Sequence, residues 1–133
     1  MNLLFVHQNF PGQFKHILPV VSADGSNRVV GFSMRDAPRP PGLQLVHYKP
    51  GRGSSKHIHP WVSDLESKVI RGEVAFKAAR KMRDEHGFTP DLIVAHHGWG
   101  ESLFLKQIWP QARLLLYCEW YYPLVCADVG FDP

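Results

Sequence analysis

Short apolar runs alternate along the chain with stretches whose apolar residues recur every three or four positions. Leu3-Leu4-Phe5-Val6 is a strand-like run, predicting a strand over about 2–6. A Pro-Gly loop at Pro11-Gly12 follows, and then Phe14, Ile17, Leu18 and Val21 share one helical face, predicting a helix over 13–23. The turn cluster Asp24-Gly25-Ser26-Asn27 stops it. Residues 28–33 (Arg-Val-Val-Gly-Phe-Ser) read as a second strand. Pro38, Pro40 and Pro41 make 35–42 a loop, and Leu43 to Tyr48 alternates as a third strand should. Lys49 to His59 is a loop rich in Gly, Ser and Lys.

Pro60 stands where helices often begin. From Trp61 to His86, Leu65, Val69, Gly72, Phe76, Ala79 and Met82 recur at helical spacing, so they are expected to face the core, with Gly87 as C-cap. Gly72 costs about 1 kcal/mol inside a helix, which predicts close packing or a bend there. Asp91-Leu92-Ile93-Val94-Ala95 is a buried strand followed by the loop 96–100. Residues 101–107 read as a short helix, with Glu101 at its positive end. Pro110 breaks that pattern, and 113–118 reads as strand five. Strands alternating with helices predict an α/β, Rossmann-like, doubly wound and mostly parallel sheet of about five strands, with helices on both faces. The expected strand order is 3-2-1-4-5. Its switch point lies between strands one and four, where loops 7–13 and 96–100 meet and where such sheets bind ligands.

The size, 133 residues, fits one domain, and 44% hydrophobic with 20% charged residues is ordinary for a globular chain. No run approaches the roughly 18–20 apolar residues of a membrane span. The apolar start has no basic segment before it and ends after four residues at His7, so it reads as a strand rather than a signal peptide. Cys118 and Cys126 are too few for a disulfide framework, which suits a reducing cytoplasm. The net charge of +3 leans basic without indicating nucleic acid, and no nucleic-acid-binding motif supports such a partner. Lys56, Lys68, Arg71, Lys77, Arg80, Lys81 and Arg83 read as a solvated helix face; the alternative is an anionic surface, giving peripheral contact with the inner face of a membrane.

Three constellations could carry chemistry. In the first loop, Gly12 lets the backbone approach a phosphate or sugar at a helix start, with Asn9 and Gln13 beside it as substrate-binding candidates; the alternative is a plain turn glycine. In the fourth loop, His97 is a candidate acid/base catalyst, and His96, Gly98, Gly100 and Glu101 are candidate substrate contacts. One histidine packing inward and Glu101 merely serving the helix dipole is the structural alternative. After strand five, Glu119 is a candidate catalytic carboxylate, with Trp120, Tyr121 and Tyr122 able to stack on a sugar or to line a core edge or domain interface. His57-x-His59 with His96 and His97 makes no recognised metal spacing, so neither metal nor cofactor is expected.

The runs 2–14 (NLLFVHQNFPGQF), 90–101 (PDLIVAHHGWGE), 114–122 (LLLYCEWYY) and 127–133 (ADVGFDP) resemble the amino-terminal part of family-four (group 1) glycosyltransferases, and the likeness spans most of the chain. The resemblance implies a GT-B fold of two Rossmann-like halves, of which this chain matches the amino-terminal, acceptor-side one. The donor half, with its Glu-rich motif and glycine-rich loop, lies outside these 133 residues. It implies a nucleotide-sugar donor held mainly by that other half, a sugar or lipid-linked acceptor, and no activity from this portion alone. By the same resemblance, Gly12 approaches the donor phosphates, and His96, His97 and Glu101 lie in an acceptor-side loop. Many relatives place a catalytic His just past strand five; this chain has Cys118-Glu119-Trp120 there, and Glu119 takes its place as candidate. The alternative is a stand-alone flavodoxin-like module binding a nucleotide or phosphate ligand; a third reading is a metal-dependent hydrolase using the histidines. Aromatic residues near the end could mark an interface and permit self-association.

Overall fold

The computed structural model describes residues 1–119. Its strands are β1 (Asn2–Val6), β2 (Arg28–Ser33), β3 (Leu43–His47), β4 (Leu92–His96) and β5 (Arg113–Tyr117), and its helices are α1 (Ile17–Ala23), α2 (Pro60–His86) and α3 (Leu105–Ile108). Short 3-10 turns occupy Gly12–His16 and His97–Trp99. The expectations for Trp120, Tyr121 and Tyr122, for the run 127–133 and for self-association through the terminal aromatics lie outside the described residues.

Every strand pairing is parallel, in the order β3-β2-β1-β4-β5, so the expected order and switch point are both found. Side chains alternate across the pleat and feed two separate cores. Leu4, Val6, Val30, Phe32, Ile93 and Ala95 point to the face covered by α2 and α3, where Ala75, Ala79, Met82, Leu105 and Trp109 meet them. Leu3, Phe5, Val29 and Val94 point to the other face, covered by Phe10, Phe14 and Leu18. A sheet buried on both sides explains why β1, β2 and β4 read as unbroken apolar runs.

The predicted first helix is two pieces. Its first turn is 3-10, with Phe14 N donating to the Pro11 carbonyl at 3.0 Å, and the α-helix begins at Ile17. Pro19 has no N–H for the Lys15 carbonyl, so a regular helix cannot run through this join. The predicted helix 101–107 is also corrected: residues 101–104 are turns and α3 starts at Leu105. Glu101 therefore does not complement a helix dipole. It is turned inward and fully buried.

Helix α2 keeps its predicted span and its Gly87 cap, which adopts φ 58° and lets Phe88 N bond the Met82 carbonyl. Its buried positions are Ile70, Gly72, Ala75, Ala79 and Met82, whereas Leu65 and Val69, expected inside, are exposed. The helix has 27 residues; at 1.5 Å per residue that is about 40 Å, against about 17 Å for a five-residue strand. Its first turns therefore project past the carboxyl end of the sheet, with no strand beneath Leu65 and Val69. The basic residues of this helix are largely in pairs, Lys68–Asp64, Lys77–Glu73, Lys81–Glu85 and Arg83–Asp84, the pattern of a solvated face. No helix among the described residues is long and apolar enough to cross a membrane.

Candidate functional site

β1 and β4 are neighbours with Val6 opposite Ala95. Continuing that register by one residue sets His7 beside His96, at the carboxyl end of the sheet and at the switch point. The two imidazoles meet edge to face with centroids 5.4 Å apart, and both are buried. Each is fixed in the same way by the loop that follows it. His7 Nδ1 accepts the Asn9 backbone N–H at 3.0 Å, and His96 Nδ1 accepts that of Gly98 at 3.1 Å. A ring nitrogen that accepts carries no proton, so these bonds assign the proton of each neutral ring to Nε2.

The glycines of the two loops make room for the rings. Gly12 has φ 52°, and a Cβ there would lie 2.6 Å from the His7 ring; at Gly98 a Cβ would lie 3.1 Å from His96 Cε1. Asn9, Gly12 and Gly98 thus act on the histidines through the backbone. Gly100 serves the packing of α2 instead. With φ 102°, its missing Cβ leaves space for the Lys68 carbonyl of α2, and Gly72 approaches the Gly100 carbonyl in return. The close packing expected of Gly72 is found, with the segment 96–100 as its partner.

Glu119 arrives from the end of β5. Its Oε1 accepts a hydrogen bond from Gln13 Nε2 and lies 3.3 Å from His96 Nε2, without the alignment of a hydrogen bond. His7 Nε2 and His96 Nε2 are both buried and without a hydrogen-bond partner among the described residues. Burial and the neighbouring His96 lower the His7 pKa, partly offset by Gln13 and Glu119.

His97 is exposed and stacks on His96, with centroids 5.9 Å apart. Its Nδ1 is 3.1 Å from the Tyr117 carbonyl oxygen. A carbonyl only accepts, so Nδ1 donates and the lone pair is left on Nε2. Trp99 also stacks against His96, at 5.8 Å, and Arg71 lies over Trp99. The site is therefore a row of rings along the ends of β1 and β4, edged by Gln13 and Glu119.

Of the residues singled out from sequence, Gln13, His96, His97 and Glu119 converge, while Asn9, Gly12 and Gly98 shape the loops around them. Gly100 and Glu101 do not join the group. The Glu101 carboxylate accepts from Tyr48 Oη at 3.2 Å in a buried pair, and burial raises both pKa values. This pair ties the loop after β4 to the end of β3. Sequence reasoning missed His7 and Tyr48. Aligning the ends of the two central strands would have found His7, since each run stops at a histidine; no local signal marks Tyr48. His59 Nδ1 caps α2 by accepting from Trp61 N at 3.3 Å, and among the described residues no three His, Cys, Asp or Glu side chains are grouped to hold a metal ion. A cavity of about 560 Å³, lined by Arg83, Asp91, Trp109 and Arg113, opens at the opposite end of the sheet, away from these groups.

No curated protein and no solved structure matches the chain. A family model does match, over residues 25–133; it takes in β2 to the end of the chain, including the 90–101 and 114–122 runs, and leaves β1 outside. With more than half of its length matched, and with a parallel Rossmann-like sheet carrying polar loops at its switch point, the chain belongs to the glycosyl transferase family 4 group.

Proposed function

We propose that this glycosyltransferase domain is the acceptor-side half of a GT-B enzyme that moves a sugar from a nucleotide sugar to a hydroxyl of a sugar or lipid-linked acceptor. The observation that carries this reading is the exposed His97 ring, its Nε2 lone pair available, stacked on His96, which in turn lies 3.3 Å from the Glu119 carboxylate at the switch point. Transfer forms a bond from the acceptor oxygen to the anomeric carbon and breaks the bond from that carbon to the leaving phosphate. The acceptor proton must go to a base. His97 suits this role, because its Nδ1–H bond to the Tyr117 carbonyl orients the ring and leaves Nε2 to take the proton. Glu119 is the second catalytic group, a carboxylate that orients the hydroxyl. The remaining half of the enzyme grips the nucleotide, and closure of the two halves completes the site.

The test is sugar transfer from a panel of labelled nucleotide sugars. In the full-length gene product, His97→Ala is expected to lower kcat by roughly 10²–10⁴-fold, with residues 1–133 alone transferring no sugar. An undiminished kcat in His97→Ala removes the base assignment. Turnover by residues 1–133 alone removes the division of labour between two halves.

A further inference from the structure

We propose that His7, His96 and Gln13 form an oxyanion pocket for a phosphoryl oxygen, and that Glu119 fills this pocket when no ligand is bound. This deepens the reading above and rests on it. The Nε2 atoms of His7 and His96 are buried N–H donors without partners among the described residues. Buried donors left unpaired are uncommon and unfavourable, and a ligand acceptor is one way of satisfying them. Here two such donors sit on rings 5.4 Å apart at the place in the sheet where ligands bind.

The position of the missing oxygen is marked. Glu119 Oε1 accepts from Gln13 Nε2 and lies 3.3 Å from His96 Nε2, so an anionic oxygen already stands among donors. Its approach to His96 is misaligned, and it leaves His7 Nε2 unpaired. Glu119, two residues past the end of β5, is bonded to Gln13 and to neither histidine. A phosphoryl group free to rotate could serve all three donors together, with Glu119 swinging out. Glu119 has 42% of its side chain accessible and Gln13 is exposed at the rim, so the movement needs no core rearrangement.

The ring tautomers select the chemistry. A metal ligand would present a lone pair at Nε2, and its Nδ1–H would donate to an outer acceptor. Both rings here are held the other way round, accepting backbone N–H at Nδ1 and donating from Nε2. The arrangement calls for an acceptor, and fixed N–H donors on buried rings are preorganised for an oxyanion. The phosphoryl oxygen could belong to the diphosphate of a nucleotide donor or to a phosphorylated acceptor, and both would use the same three donors.

The test is an NMR titration of the imidazole-labelled full-length gene product, with inorganic pyrophosphate as the first probe. The expected result is that the ring ¹⁵N signals of His7 and His96 report Nε2–H tautomers and move together, saturably, on adding pyrophosphate. Removing the resident carboxylate in Glu119→Ala is expected to tighten pyrophosphate binding about tenfold, and His7→Leu to weaken it by about tenfold or more. His7→Gln, which keeps an N–H donor, should restore part of the loss, and it serves as the folded comparison if His7→Leu fails to fold. Uridine or guanosine diphosphate binding much more tightly than pyrophosphate identifies the donor diphosphate as the source; equal binding identifies an acceptor phosphate. The proposal is overturned by ring signals that pyrophosphate leaves unmoved, by Glu119→Ala without effect on affinity, or by zinc that removes both Nε2–H signals. These binding readouts are separate from catalysis. Transfer by the full-length product with no pyrophosphate effect would sink the pocket alone, whereas pyrophosphate binding with an active His97→Ala would sink the base assignment alone.

Discussion

At the residue scale, His7 is displaced from its ordinary chemistry. Burial, reinforced by His96, lowers its pKa, with Gln13 and Glu119 acting in the opposite sense. The unfolded chain then binds a proton near pH 6.5 that the folded chain binds only at lower pH. Stability from this group is fully present above about pH 6.5, and it is lost as the pH falls through the folded-state value. Histidine NMR titration should show the His7 ring still neutral where a free imidazole is half protonated. The wild-type melting temperature should also fall more steeply between about pH 7 and 5 than that of His7→Gln. A His7 midpoint at or above the ordinary value would show that the ring is not held as described. His7 is also where the sequence was hardest to read. The loop was recognised from its Pro-Gly turn, but a histidine ending an apolar run gives no sign of what lies across the sheet. Only the β1–β4 register does that, and register is a property of two distant segments. Gly12 is expected from sequence to let the backbone approach a ligand, yet the group that its missing Cβ admits in this structure is the His7 ring.

At the element scale, regular pieces were legible and their junctions were not. β1, β2 and β4 announced themselves because both of their faces are buried, and α2 because its repeat and its Gly87 cap agree. The repeat could not show that α2 outruns the sheet, so Leu65 and Val69 were assigned to a core that does not reach them. The segment 101–104 failed differently. A glutamate at a helix start is a reasonable reading of local sequence, but a tertiary contact overrides it: Glu101 turns inward to Tyr48. That contact can be tested. Tyr48→Phe leaves the carboxyl buried without its donor and should cost about 1–3 kcal/mol in urea denaturation. Glu101→Gln keeps an acceptor for the hydroxyl and should cost less than Tyr48→Phe. Equal losses would mean that the pair contributes through packing alone, not through its hydrogen bond.

At the scale of the whole molecule, the sheet is a partition between two cores, and the site lies along the rim where the partition ends. Alternation along β1 sends Leu3 and Phe5 to the α1 side and Leu4 and Val6 to the α2 side, so neighbours in sequence stabilise different halves. The fold could be inferred from the sequence because each of these layers is written in its own period. The site could be located for the same reason, although its membership depended on side-chain directions that no period encodes. The separation has a measurable consequence. Leu18 belongs to the cluster under α1, and Ile93 to the cluster under α2. Leu18→Ala should cost about 2–5 kcal/mol and Ile93→Val about 0.5–1.5 kcal/mol. Because the two side chains share no cluster, the double variant should lose the sum of the two, within about 0.5 kcal/mol. A coupling energy above about 1 kcal/mol would show that strain crosses the sheet. In that case a substitution in either core would also be expected to disturb the His7–His96 pair, which stands at the end of the two strands that both cores share. If the energies add, the rim histidines are held by their own loops, by Asn9 and Gly98, and the cores can vary without moving the site.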